Sequence, residues 1–408
     1  MRVFMGMVWI LIPLMLISGC GQKEELERQA FVVALGLDKG EKDHMIEVTF
    51  QIANPQVNTS QLAEAQNEPP SDIVTVTAPD ILSAKELVHT SHSRRVRFSH
   101  LKTIIIGEEL ARSEVFSNII ESAIVDPEVR RESMMIVSKE KASEFIHKNK
   151  PIMETRPHKY YEFMQKIWKQ TGLVPPSNLN TLFQRIQGEL FLVIYATAER
   201  EEVGEHQNED TYLAGQVPQK AGDPVQMIGS AVLRNRKMIG TLTGEETRIA
   251  MLLREEPVFD AIITSFPDPV KEGSRISVRL IETSPTRVKV DTKQEPAKVN
   301  VQVPVVLQIH SNPANVSYTT NQHNQNLLKK SIKKRLEERS ARLVEKMQNE
   351  FKGEAFVWYV PARKQFWTVK QYEDYNWEKK FQQADVDINY EVKIENFGEQ
   401  IKPPSNKD

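Results

Sequence analysis

The sequence predicts an α+β and α/β protein of three domains, with mixed or antiparallel sheets flanked by helices and a lipoprotein signal peptide in front. Three observations lead there. Residues 80–148 alternate helical and strand patterns, and Ile104-Ile105-Ile106 are apolar on consecutive positions, as a strand covered on both faces requires. Residues 276–309 carry successive strand patterns with no helix between them, which suits antiparallel pairing. Leu328, Ile332, Leu336, Leu343, Met347 and Phe351 recur at spacings of four and seven along one very long helix, a single stripe suited to packing on a sheet.

The chain opens with Met1 and Arg2, then residues 3–17 without a charged side chain, then small Ser18 and Gly19 before Cys20. That order is a secretory signal. A helix of that run, at ~1.5 Å per residue, spans roughly 22 Å against the roughly 30 Å of a bilayer core, and Pro13 interrupts it. A permanent membrane span is therefore the weaker reading. Ile17-Ser18-Gly19-Cys20 also reads aliphatic, small, small, cysteine, the order at which bacterial lipoproteins are acylated and cut. On this reading residues 1–19 are removed and Cys20 carries an S-diacylglyceryl and an N-acyl group; the alternative is an ordinary signal with an incidental cysteine. Cys20 is the single cysteine. Once acylated, it leaves no thiol for disulfides, thiolate zinc sites or cysteine nucleophiles. Two or three chains anchor firmly where one binds only reversibly.

Residues 20–29 form a polar stem. Strands follow at 30–37 and 45–52, joined across Asp38-Lys39-Gly40-Glu41; 54–71 is a polar loop and 73–77 a third strand. Then come a capped helix at 80–89, strand 103–106, helix 114–124, strand 133–137 and helix 142–148. Helices at 159–169 and 180–186 flank Val174-Pro175-Pro176, and 189–198 is a strand. Residues 30–200 thus make an N-terminal α/β region of two sub-domains divided near 72 or 150. Residues 201–225 are acidic, broken by Gly and Pro, and read as a linker. Residues 226–397 make a C-terminal α/β domain. It opens with a hairpin, 230–233 and 237–241, turning at Arg234-Asn235-Arg236. Thr243 and Glu246 are spaced as a capping box that starts helix 245–253. Strands 276–280, 286–290 and 299–309, the helix at 324–351 and a final strand 386–394 precede a polar tail, 398–408.

Lys and Arg number 53 against 55 Asp and Glu, spread along the chain, so nothing suggests a nucleic-acid binder. His89, His92 and His100 lie close enough in sequence to raise a metal site, but they come with no His-Glu-x-x-His run, and solvated or hydrogen-bonded histidines are the default. Arg94, Arg95, Arg97 and His100 suit an anion, or structural ion pairs with Glu108, Glu109 or Asp126. The pairs Glu108-Glu109, Glu245-Glu246 and Glu255-Glu256 sit at helix ends, where carboxylates are ordinarily solvated. No G-x-S-x-G, phosphate-loop or dinucleotide fingerprint occurs, and no catalysis, metal or cofactor is expected. Trp358, Tyr359, Phe366, Trp367, Tyr372, Tyr375 and Trp377 are read as locking the long helix to its sheet, with a ligand pocket as the alternative.

Several stretches together resemble one family, the C-subunit lipoproteins of spore germinant receptors, written Ger(x)C. Cys20-Gly21-Gln22-Lys23-Glu24-Glu25-Leu26 through Gly36-Leu37-Asp38 is similar to the family's start, without its Trp and Asp after the cysteine. RVRFSHLKTIIIGEELAR, from Arg95 to Arg112, and Asp126-Pro127-Glu128-Val129-Arg130 follow, with Val125 where the family carries Arg. Residues 229–253 and Trp367 to Ile394 match more weakly. The resemblance implies three α/β domains, an acylated (palmitate-type) membrane protein on the outer face of the inner spore membrane, and integral-membrane A and B subunits as partners in nutrient-triggered germination. A solute-binding lipoprotein of a transport system is the alternative.

Overall fold

The computed structural model describes residues 28–42, 44–54, 69, 71–154, 156–184, 189–202, 209–314 and 316–396. The signal 1–19, Cys20, most of the stem and the tail 398–408 lie outside the described residues.

The chain folds around two sheets. The first is built from β1 (Gln29–Lys39), β2 (Ile46–Ala53), β3 (Ser71–Ala78), β4 (Arg95–Arg97), β5 (Thr103–Gly107), β6 (Met134–Ser138), β7 (Phe191–Thr197), β8 (Gln226–Arg234) and β9 (Lys237–Leu242). Its order is β3-β2-β1-β5-β6-β7-β8-β9, with β4 beside β1. The middle strands β1, β5, β6 and β7 run parallel, while β2 and β3 at one end and β8 and β9 at the other pair antiparallel. Short hairpins join the antiparallel pairs β1–β2 and β8–β9, the parallel neighbours need crossovers, and β2–β3 and β7–β8 pair antiparallel across longer connections. The crossovers contain α1 (Ile81–Val88), α2 (Glu108–Ala111), α3 (Phe116–Ala123), α4 (Ala142–Lys148), α5 (Pro157–Thr171) and α6 (Leu179–Gln184).

The run Ile104-Ile105-Ile106 divides between two cores. Ile104 and Ile106 pack with α1 and α3 on one face, and Ile105 packs with α4 and α5 on the other. Successive strand residues point to opposite faces, so a strand covered twice needs no polar alternation.

The hairpin β8–β9 extends the first sheet, although the sequence pattern groups residues 226–242 with the C-terminal domain. The sheet therefore runs across the 201–225 segment. Ala214 is buried there, with Tyr212 and Leu213 packed against the same core. The hairpin loop has two residues, not three: Asn235 and Arg236 both take positive φ (47° and 61°), whose twist matches paired strands.

The second sheet contains β10 (Ile262–Pro267), β11 (Arg275–Glu282), β12 (Arg287–Asp291), β13 (Lys298–Ser311) and β14 (Asp385–Asn396). β10, β11, β12 and β13 pair antiparallel as expected, but β14 runs parallel to β13 along nearly its whole length. The crossover that permits this includes α8 (Gln322–Asn349), α9 (Tyr359–Arg363), α10 (Val369–Tyr375) and α11 (Trp377–Phe381). α7 (Gly244–Leu252) precedes the second sheet and begins with both halves of the capping box formed. The stripe on α8 is buried from Leu328 to Met347. Trp358, Trp377 and Phe381 enter its core, but Trp367 does not: it is 96% exposed.

Candidate functional site

A cleft of about 460 Å³ opens where the two sheets meet. One wall is Gln165 and Trp168 of α5 with the Val174-Pro175-Pro176-Ser177 segment behind it; the other is residues 254–259 after α7, with Val357 and Val360 at α9. Its size suits a small-molecule site.

Local chemistry explains each wall. α5 stops at Gly172, whose φ of 65° is the left-handed conformation of a helix C-terminus. A Cβ there would stand 3.0 Å from the Phe259 ring, so the glycine also lets the second wall approach. Ser177 is fastened to β6, its hydroxyl donating to Met135 O at 2.6 Å. Behind the cleft, buried Arg248 of α7 ties four segments together. It donates to Thr171 O at 3.0 Å, to Asp210 Oδ2 at 2.9 Å and to Ile263 O at 3.2 Å.

The second wall holds strained backbone. Val357 has φ 67°, a conformation a β-branched residue adopts only when its surroundings impose it, at ~1–3 kcal/mol. Those surroundings are visible. The Glu354 carboxylate accepts from Phe356 N at 2.6 Å and Tyr359 N at 2.8 Å, Trp358 Nε1 donates to Leu253 O at 2.8 Å, and Arg254 donates to Ala355 O at 3.0 Å. The Trp168 indole N–H is buried without a hydrogen-bond partner among the described residues. The lining suits a small molecule with an apolar body and a polar end. Gln165, Thr181, Glu255 and Glu256 supply polar groups, and neither histidine nor cysteine lines it.

The residues singled out by sequence go elsewhere. His89 caps the C-terminus of α1, His92 lies 2.9 Å from Asp72, and His100 packs on the Phe31 ring at 4.5 Å. Burial, helped by Arg130 and Lys102, pulls the His100 imidazole below its ordinary range. No group of three His, Cys, Asp or Glu among the described residues is placed to hold a metal ion.

Arg97 pairs with Glu128 at 2.7 Å rather than with Glu108, Glu109 or Asp126. Glu128 also accepts from Phe98 N at 2.8 Å and Lys85 at 3.3 Å, and Lys85 reaches Asp126 at 2.7 Å. Burial works against the Glu128 charge, but these donors win and hold its carboxyl below the usual range. Glu108 pairs with Arg112 and Glu109 with Lys39. Glu245 and Glu246 are not solvated helix-end carboxylates: they clamp α7 to α8 through Arg339 at 2.5 Å and Lys346 at 2.8 Å. Glu255 and Glu256 alone of the paired carboxylates reach the cleft.

Asp38, which ends the Gly36-Leu37-Asp38 stretch, caps a helix distant in sequence. Its carboxylate accepts from Ala142 N at 2.6 Å and Ser143 N at 2.9 Å at the start of α4. Burial pushes its carboxyl above the ordinary value, against those two donors.

The cleft residues Trp168, Phe259 and Val357 carried no site signal in the sequence; Pro175-Pro176 and the Glu255-Glu256 pair marked the neighbourhood. Cys20 lies outside the described residues, and no described helix is long and apolar enough to cross a membrane.

Comparison with known proteins gives concordant matches. Residues 22–197 match the spore germination protein N-terminal domain, and residues 228–398 match the spore germination B3/GerAC-like C-terminal domain. The chain is 24% identical to spore germination protein B3 of Bacillus subtilis (strain 168), covering 94% of this chain and 96% of that protein. It is 25% identical to spore germination protein KC of the same organism over 44% of each chain. The crystal structure of the GerBC protein has the same fold, with a TM-score of 0.53 at 17% identity over 88% of this chain and 96% of that one.

Proposed function

Because this chain belongs to the Ger(x)C family of spore germinant-receptor C subunits, we propose that it is a lipid-anchored, non-catalytic subunit of a nutrient germinant receptor. Acyl chains on Cys20 hold it at the outer face of the inner spore membrane, where it acts by assembling with integral-membrane A and B subunits. The observation that carries this reading is the placement of the family match. It begins at Gln22, two residues beyond the sole cysteine, and its two parts follow in order to residue 398. The family body thus starts directly behind a thiol set in a lipoprotein cleavage sequence. Two or three acyl chains, at about 0.8 kcal/mol per buried methylene, hold such a body at a bilayer without a spanning helix.

The test is Cys20→Ala in the full chain. Loss of fatty-acid labelling, release from the membrane fraction or an uncleaved precursor, and weakened nutrient germination are expected. Fatty-acid label persisting on the alanine variant refutes the anchor.

The cleft favours the second reading, a solute-binding lipoprotein. That reading requires saturable thermal stabilisation of the purified chain by an amino acid or sugar, about 2.7 kcal/mol at a hundredfold excess over Kd.

A further inference from the structure

We propose that the turn at Pro151-Ile152-Met153 and the outer side of α5 rest on an anionic lipid surface, as a second membrane contact separate from the thiol anchor. The proposal rests on the Cys20 reading only for its account of how the body comes near the bilayer.

The first observation is exposed apolar surface at one end of one helix. α5 buries Tyr160, Tyr161 and Trp168 against the first sheet, with Met164 packed beside them. Phe163 and Ile167, one turn apart on another side, stay 44% and 49% exposed. In the turn that leads into the helix, Ile152 is 73% exposed and Met153 97%. Single exposed apolar residues are ordinary, but four large ones on one helix and its entry turn are not.

The turn is held in place. Ile152 N donates to Asp223 at 2.8 Å, and just before it the buried Asn149 amide donates to the Tyr161 hydroxyl at 3.0 Å. Presenting Ile152 and Met153 to a partner therefore costs little further ordering.

Charge selects the partner. From Lys148 to Lys169 the chain has six basic and two acidic residues, whereas the whole chain has 53 against 55. Exposed Lys150 adjoins the turn, and the Lys166 ammonium sits 5.6 Å from the Phe163 ring. The acids at hand are Glu154 directly after Met153, which accepts from Arg156 N at 3.1 Å, Glu162 against Lys166, Glu144 and Glu199 against Lys148, and Asp223 beneath the turn. Apolar tips among lysines and an arginine match a headgroup layer, where stems bury and ammonium groups meet phosphate.

Tether length keeps the body near the bilayer. Arg28, the first described residue, is eight positions past Cys20. Eight residues span at most about 29 Å, little more than the roughly 21 Å radius of gyration of a body this size. A chain so tied keeps its body close to the headgroups.

The experiment uses the full chain with Cys20→Ser and Met153→Cys, carrying a polarity-sensitive bimane at the new thiol. A parallel chain carries the bimane at exposed Glu272→Cys, on the β10–β11 loop. Vesicles of equal parts phosphatidylglycerol and phosphatidylcholine are compared with phosphatidylcholine alone. The expected result is a blue shift and quenching by brominated lipid at position 153 only, on the anionic vesicles only, fading between 0.1 and about 1 M salt as screening shortens. In the unlabelled Cys20→Ser chain, Ile152→Ser with Met153→Ser should lower the fraction that co-sediments with the anionic vesicles about tenfold.

An unchanged spectrum at 153 on both vesicles overturns the proposal, as does an equal response on phosphatidylcholine alone. So does a shift that appears only when integral-membrane receptor subunits are present, which assigns the face to a protein. Because the labelled chain has no thiol at position 20, this readout stands or falls separately from fatty-acid labelling of Cys20.

Discussion

Replacing Gly107 with alanine should unseat the cap that Asp38 makes on α4. The added Cβ would stand 2.3 Å from Asp38 Oδ1 and 3.4 Å from Ala142 N. Asp38 is 3% exposed, so its carboxylate has nowhere to go except away from Ala142 N and Ser143 N, which it holds at 2.6 and 2.9 Å. Overpacking costs about 1–3 kcal/mol and a lost cap about 1–2, giving about 2–5 kcal/mol for the variant. Asp38→Ala loses the same cap, at about 1–2 kcal/mol, but removes the atom that Gly107→Ala would strike. The two changes must therefore be coupled: in the Asp38→Ala background, Gly107→Ala should cost under about 1 kcal/mol. Near-UV circular dichroism during thermal unfolding at neutral pH reads this. At about 2 °C per kcal/mol, Gly107→Ala lowers Tm by about 4–10 °C, and the double variant falls within about 2 °C of Asp38→Ala alone. A double variant whose loss equals the sum of the two single losses would refute the reasoning.

Three further outcomes follow from side chains whose surroundings are explicit. Burial pushes the Glu282 carboxyl up to about 6, opposed by two hydrogen bonds from Thr286, while its Oε2 is buried without a partner among the described residues. Since the folded chain prefers the protonated form, Glu282's contribution is fully present below its ordinary 4.5 and is lost as pH rises through about 6. Glu282→Gln should flatten that segment of the stability-versus-pH curve and stabilise the chain by ~1 kcal/mol at pH 7, after discounting for partial exposure; a wild-type curve that is flat between pH 4 and about 7 contradicts this. Arg248→Ala should cost about 3–5 kcal/mol in urea unfolding, because Asp210 is left buried without its ion-pair partner and three carbonyl and carboxylate acceptors lose their donor; a loss under about 1 kcal/mol would contradict this. Trp358→Ala should cost about 3–5 kcal/mol and Trp367→Ala less than about 0.5, since the first is fully buried and the second 96% exposed; equal losses for the two would contradict their placement.

Much of the fold was legible because short-range physics writes it into the sequence. The Asp80 cap on α1, the Thr243–Glu246 box on α7 and the α8 stripe all appear where spacing placed them. Misreadings arose where the deciding interaction is distant. The aromatic group after α8 looked uniform in sequence, yet Trp358 enters the core and Trp367 faces solvent, because only the packing of α9 and α10 assigns their sides. Glu245 looked solvated until α8 brought Arg339 onto it, 94 positions away in sequence.

The sequence by itself determined the periodic elements, the caps and the family, because each is a matter of neighbouring residues or of motif order. Only the tertiary structure decided that β8–β9 complete the first sheet, that β14 lies parallel to β13, that Asp38 caps α4, and that α5 and the α7–β10 connection enclose a cleft. These are meetings of segments tens to hundreds of residues apart. Their partners are chosen by which buried surfaces and hydrogen-bonding groups can be satisfied together, and no local pattern encodes that choice.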